Sequence, residues 1–221
     1  MKNININISK KHLAIIIVEI VVGVFLFTNI YQKIKVNKPA SAPKQATVNT
    51  NSMEDHHKPK PIETVLFNSL TGKQAPKFSL LSYDGKTFDL DSLKGKNVLL
   101  FFNEGLMCYP ACWNQISAFG RDDIFKLKNT VVLNITTDPK EDWKKAIEKM
   151  PELGASIVLF DNNRLASNLY GVLSLESSMH RGQFPGHTYV LIDKKGVVRY
   201  TKDDPTMAIR NQELLNEVDK I

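Results

Sequence analysis

From Leu66 onward, apolar and polar residues fall into short blocks, and most blocks predict one element of secondary structure. KFSLLSYDGKTFDL, Lys77 to Leu90, alternates apolar and polar residues on both sides of Asp84-Gly85, the pattern of two strands joined by a tight turn. NVLLFF, Asn97 to Phe102, is an unbroken apolar run, which predicts a strand buried on both faces. VVLNIT, Val131 to Thr136, repeats that pattern, and SIVLF, Ser156 to Phe160, is a further strand. Between them, Asp138, Pro139 and Glu141 read as a helix start with an N-cap, a proline in the first turn and a reciprocal carboxylate. Trp143, Ile147 and Met150 then share one helical face before Pro151 ends the run. RLASNLYGV predicts a short helix, HTYVLID and VVRYT a strand pair turning at Lys195-Gly196, and Leu214, Leu215, Val218 and Ile221 a final helix. Strands alternating with helices point to an α/β fold, a central mixed sheet with helices on both faces.

The N-terminal part is built differently. LAIIIVEIVVGVFLFTNI, Leu13 to Ile30, holds about 18 nearly continuous apolar residues, the lower end of what spans a bilayer as a helix. Lys2, Lys10 and Lys11 precede it, and Glu19 is its one acidic residue. A cleaved signal peptide competes with a retained anchor, but the Ala40-Ser41-Ala42 pattern lies well past the apolar stretch and is followed by Pro43, which favours the anchor. The expected organisation is therefore a basic head (1–12), one transmembrane helix (13–30), a flexible polar linker (31–65) and a folded domain (66–221). A short basic head retained inside, with a long domain carried across, predicts a single-pass protein of the cell membrane with its C-terminal domain extracytoplasmic. His56 and His57 lie in the linker and read as solvated. The formal net charge of +6 is spread along the chain without a basic stripe interleaved with aromatics, so no nucleic-acid partner is expected. Mild attraction to anionic headgroups suits the charge better.

Two cysteines cannot staple a chain of 221 residues, so the pair is free for chemistry. Cys108 and Cys112 follow a buried strand at once, with Pro110 between them marking a helix start. A strand running into a helix puts them at the carboxyl edge of the sheet, where open α/β folds carry their sites. Cys108 is expected just before the helix and Cys112 in its first turn, close enough to join. The helix terminus favours a thiolate, which makes Cys108 the nucleophile and Cys112 the resolving partner. Glu104 lies near enough in sequence to accept or relay a proton. Inert core thiols, a permanent disulfide and a metal site are the competing readings; redox exchange is favoured, since a loop this short gives a purely structural disulfide little to stabilise.

The opening APKFSLLSYDGKTFDLDSLKGKNVLLFF, the cysteine pair, DNNRLASNLYGV and GHTYVLIDKKGVVRY together make residues 66–221 resemble the thioredoxin-like redoxins, the group that includes AhpC/TSA peroxiredoxins and membrane-tethered thiol-disulfide oxidoreductases. The resemblance implies a thioredoxin-like fold, dithiol–disulfide exchange without a cofactor, and a thiol, disulfide or peroxide, carried on a protein or a small molecule, as substrate. The gap of Tyr109, Pro110 and Ala111 departs from the two residues between the cysteines of a thioredoxin site. His187, six before Asp193, occupies the position where related oxidoreductases carry a cis-proline, and is expected to face the pair as cation or proton acceptor. The cysteine spacing, the late histidine and the anchor also resemble Sco-type copper chaperones, which implies the alternative of copper held by Cys108, Cys112 and His187.

Overall fold

A computed structural model describes residues 60–221. The segments read as head, transmembrane anchor and most of the linker lie outside the described residues. Among the described residues no helix is long and apolar enough to cross a membrane. The longest, Ala111–Arg121, has 11 residues where a spanning helix needs about 20.

Helix α1 (Val65–Asn68) leads into the hairpin β1 (Ser79–Ser82) and β2 (Thr87–Asp89). Its turn uses Gly85 at φ +83°, a left-handed conformation that suits glycine. Strand β3 (Asn97–Phe102) is followed by α2 (Ala111–Arg121), α3 (Ile124–Leu127), β4 (Thr130–Thr136), α4 (Lys140–Lys149), β5 (Val158–Phe160) and α5 (Leu165–Leu169). Strands β6 (Thr188–Ile192) and β7 (Val198–Asp203) and helix α6 (Asn211–Val218) complete the chain. The seven strands form one mixed sheet in the order β2-β1-β5-β4-β3-β6-β7. Strand β3 lies between β4, to which it is parallel, and β6, to which it is antiparallel. The sequence-predicted hairpins, buried strands and α/β class are thus present.

Both faces of the sheet are covered, and β3 feeds both cores. Val98, Leu100 and Phe102 point into one cluster, shared with Phe67, Ala166 and Tyr170 from the side of α1 and α5. Leu99 and Phe101 point into the other, with Ile116 and Phe119 of α2, Phe125 of α3, Trp143 of α4 and Leu214 of α6. All six β3 residues are buried because the side chains alternate between two dry faces.

One local expectation is corrected. Asp138 does not cap α4, whose N-cap residue is Pro139 with no side-chain capping bond. Its carboxylate is drawn to stronger tertiary donors, as the site geometry shows.

Candidate active site

The chain leaves β3 at Phe102 through an asparagine turn. The Asn103 Oδ1 accepts the Gly105 N–H at 2.9 Å, and its Nδ2 donates to the Phe101 carbonyl at 3.2 Å. Gly105 has φ +62°, and any Cβ there would run into the Asp138 carboxylate and the Thr136 hydroxyl. That close approach lets Asp138 Oδ2 accept the Leu106 N–H at 2.8 Å, together with the Thr136 hydroxyl at 2.8 Å and the Trp143 Nε1–H at 3.0 Å. Burial pushes the Asp138 carboxyl above its ordinary range, and these donors pull it part of the way back. Asp138 therefore ties the loop ahead of the cysteines to β4 and α4.

A short 3-10 turn, Gly105–Met107, delivers Cys108, and α2 begins three residues later at Ala111. The Tyr109–Pro110 peptide is cis. Cys112 sits in the first turn of α2, its N–H donating to the Cys108 carbonyl at 2.9 Å. The two sulfurs are joined in a disulfide across a Cα–Cα distance of 5.3 Å. Cys108 retains 3% exposure and Cys112 none, so Cys108 is the outer sulfur.

His187 enters from the start of β6 and is fully buried. Its Nδ1 lies 3.7 Å from the Cys112 Sγ, and its Nε2 lies 2.8 Å from the Tyr189 hydroxyl oxygen. Phe101 meets the ring edge to face, the centroids 4.6 Å apart. Burial pushes the imidazole from its ordinary 6.5 down to about 4; the Asp204 carboxylate and the Ala208 carbonyl oppose that shift and Arg210 adds to it. The ring is neutral at pH 7. The structure thus brings Cys108, Cys112 and His187 together, with donor atoms all within 4.8 Å of one another.

Glu104 is placed elsewhere. It is buried, and its carboxylate accepts the N–H of Met179 at 2.6 Å, the N–H of His180 at 3.1 Å and the Ser178 hydroxyl at 3.3 Å, and faces the His180 Nδ1 at 3.2 Å. All of these bonds run to the 178–180 turn. Sequence proximity to Cys108 put Glu104 among the expected proton carriers; in the structure its carboxylate is bonded to the 178–180 turn.

Three residues at the site were not found by sequence reading. Met207 has φ +50°, and its Sδ lies 3.9 Å from the Cys108 Sγ. The segment that carries it is fixed by Asp204, whose carboxylate accepts Arg210 Nε at 2.8 Å, Arg210 Nη2 at 2.9 Å and the Ala208 N–H at 3.2 Å. Although burial opposes it, the Arg210 guanidinium holds the Asp204 carboxyl well below the usual carboxylate range. Gln115 and Tyr189, both buried, bond to each other beside His187. Helical spacing from Cys112 was a usable signal for Gln115, and alternation along β6 for Tyr189; nothing local marked Met207.

Residues 71–201 match the AhpC/TSA family. Chloroplastic peroxiredoxin Q of Triticum aestivum is 35% identical over 136 residues, spanning 58% of this chain and 57% of that protein. Peroxiredoxin prdx-2 of Caenorhabditis elegans is 38% identical over 128 residues, spanning 51% of this chain and 61% of that one. The chain therefore spans less than two thirds of the length of either relative. Among solved structures, the mitochondrial 2-cys peroxiredoxin of Plasmodium falciparum is 27% identical with a TM-score of 0.57, covering 68% of this chain and 93% of that one. AhpC of Enterococcus faecalis, at 15% identity and a TM-score of 0.60 over 68% of this chain and 91% of that one, shares the fold. The expected location, single-pass in the cell membrane with the domain extracytoplasmic, is corrected. The peroxiredoxin Q relatives in Triticum aestivum and Populus jackii are chloroplastic, and no described helix has the length and apolar character to span a bilayer.

Proposed function

The chain belongs to the AhpC/TSA family, and on that premise we propose that it is a thiol-dependent peroxidase or disulfide oxidoreductase working through Cys108 and Cys112. The observation that carries this reading is the disulfide itself: both sulfurs, already joined, sit at a strand-to-helix turn with a neutral histidine beside the inner one. No cofactor takes part, since the cysteines act directly.

In the reduced state the Cys108 thiolate, favoured by the amides of the first turn of α2, attacks the substrate. With a hydroperoxide, the sulfur takes the distal oxygen as the O–O bond breaks, leaving a sulfenic acid and an alcohol or water. With a disulfide, a mixed disulfide forms and one partner thiolate leaves. Cys112 then attacks the Cys108 sulfur, expelling water or the second partner thiol and closing the bond seen in the structure. Two electrons from an external dithiol reopen it. Glu104 and Asp138 hold the walls of the site and carry no proton to the sulfurs.

The test is a single-turnover experiment on the reduced chain, read by the fluorescence of Trp113, next to Cys112 in sequence. Hydrogen peroxide, an alkyl hydroperoxide and a small disulfide are each mixed with it. At least one is expected to oxidise the pair; Cys108→Ser abolishes the reaction, and Cys112→Ser stops it at a trapped intermediate. Failure with all of them refutes the reading.

One observation favours a second reading. The Cys108, Cys112 and His187 donors converge within 4.8 Å, and Met207 adds a thioether 3.9 Å from Cys108. Thiolate, thioether and imidazole donors suit Cu(I), which would be carried as cargo by the reduced pair. Anaerobic Cu(I) titration against a chromogenic chelator tests it: stoichiometric uptake lost in His187→Ala supports copper binding, and uptake no greater than in a Cys108→Ser/Cys112→Ser chain removes it.

A further inference from the structure

Beneath the disulfide runs a buried chain of polar side chains whose bond directions are fixed at its far end. Asn211 Nδ2 lies 3.2 Å from the Ala118 carbonyl and 3.0 Å from the Asp122 carboxylate, two groups that only accept, so this atom is the amide nitrogen and Asn211 Oδ1 the acceptor. Gln115 Nε2 therefore donates to Asn211 Oδ1, at 2.8 Å. Gln115 Oε1 is left as an acceptor, and the Arg210 backbone N–H, which only donates, meets it at 2.7 Å. The Tyr189 hydroxyl, 3.0 Å from the same oxygen, must spend its single proton there. Its oxygen then accepts, and the group 2.8 Å away is the His187 Nε2, which must carry the ring proton. The neutral imidazole has one proton, so Nδ1 is bare, and it faces the Cys112 Sγ at 3.7 Å.

We infer that Tyr189, Gln115 and Asn211 are positioning residues that lock His187 into the Nε2–H tautomer and so make its Nδ1 the proton acceptor for Cys112, the thiol that closes the disulfide. The inference rests on the thiol-exchange reading for its consequence, not for its geometry. It assigns His187 to the second chemical step. Cys112 passes its proton to Nδ1 as it attacks the Cys108 sulfur of a mixed disulfide; the new S–S bond forms as the old one breaks, and the departing partner thiolate takes the proton from the imidazolium. Oxidation states change only by exchange between sulfurs, and the proton count is conserved. The groups facing the ring are Cys112, Tyr189, Phe101, Asp204, Arg210 and the Ala208 carbonyl, which only accepts and so supplies no proton. Asp204 and Arg210 are paired to each other, so once the disulfide is open the bare nitrogen has, among these side chains, only the Cys112 thiol as a proton source. The arrangement has the form of a base oriented by a second residue, with a hydroxyl in place of the usual carboxylate.

The experiment uses the full chain, labelled with nitrogen-15. Long-range proton–nitrogen correlation spectra read which ring nitrogen is protonated, the His187 signals being identified by their loss in His187→Gln. Disulfide closure is timed in single turnovers. The wild type is expected to show Nε2–H. Tyr189→Phe removes the acceptor, mixes the tautomers and slows closure about tenfold, while the first step at Cys108 keeps its rate. Gln115→Leu behaves as Tyr189→Phe does, whereas Gln115→Glu, which keeps an acceptor oxygen for Tyr189, retains most of the closure rate. The Gln115 pair decides the matter should Tyr189→Phe fail to fold. A wild-type ring protonated on Nδ1, or a Tyr189→Phe chain with unchanged tautomer and closure rate, overturns the inference. A chain that no peroxide or disulfide oxidises refutes thiol exchange instead, and the ring spectrum still decides the tautomer.

Discussion

Acid should weaken the fold through His187, by an amount the structure allows to be worked out. The imidazole titrates near 6.5 when free and is pushed to about 4 by burial in the folded chain. Between those values the unfolded chain binds a proton that the folded chain refuses, so stability rises with pH across that window and is lost as pH falls through it. The difference corresponds to about 3 kcal/mol, with a steepest slope of about 1.4 kcal/mol per pH unit. Below about 4 the term is spent, because both states are then protonated. Other groups titrate in the same range, and Asp138, with its raised carboxyl, acts in the opposite sense. The difference between wild type and His187→Asn isolates the histidine, since both chains share every other group. Urea unfolding midpoints at closely spaced pH values from 7 to 4 give that difference. A cost of substitution that shrinks by about 3 kcal/mol on acidification agrees with the burial argument. A difference constant across the window would show that the ring is hydrated or already charged, and the reasoning would fail.

Gly105→Ala should destabilise the chain by about 2 kcal/mol or more, from the left-handed backbone and the overlap with Asp138, seen as a lower melting temperature. Glu104→Gln should cost about 1–2 kcal/mol by weakening charge-assisted bonds to the 178–180 turn, yet leave the pH profile of thiol oxidation unchanged; a shifted profile would return Glu104 to proton transfer. Reducing the disulfide should lower stability by only about 2 kcal/mol, the entropy of so short a loop, and a much larger fall in chemical-denaturation experiments would mark the bond as a structural lock.

The elements legible in the sequence were those whose signal is local. The buried run of β3, the Asp84-Gly85 and Lys195-Gly196 turns, and the apolar spacing in α4 and α6 each follow from neighbours a few residues away. The pairing of Cys108 with Cys112 was legible for the same reason, being set by one turn of chain. His187 came from a resemblance and not from pattern. What stayed hidden depends on residues far apart in the chain: Gln115 meets Asn211 and Tyr189 at separations of 96 and 74, and Glu104 meets His180 at 76. Asp138 was misread because its local role as a cap is common, whereas the Leu106 amide and Trp143 indole that claim it are brought there only by the packed sheet. No periodicity announces which donor wins.

Strand β3 acts as a ruler for the described domain. Its odd-numbered side chains fill one core and its even-numbered ones the other, and the reactive turn hangs from its end. Gaining or losing a single residue there would swap the contents of both cores and carry the sulfurs about 3.3 Å along the strand axis, away from the imidazole. The hairpin at the sheet's edge can lengthen or shorten without that penalty, so length variation among natural or engineered versions of this domain should gather at the β1–β2 turn and leave the span from Asn97 to Cys112 uniform.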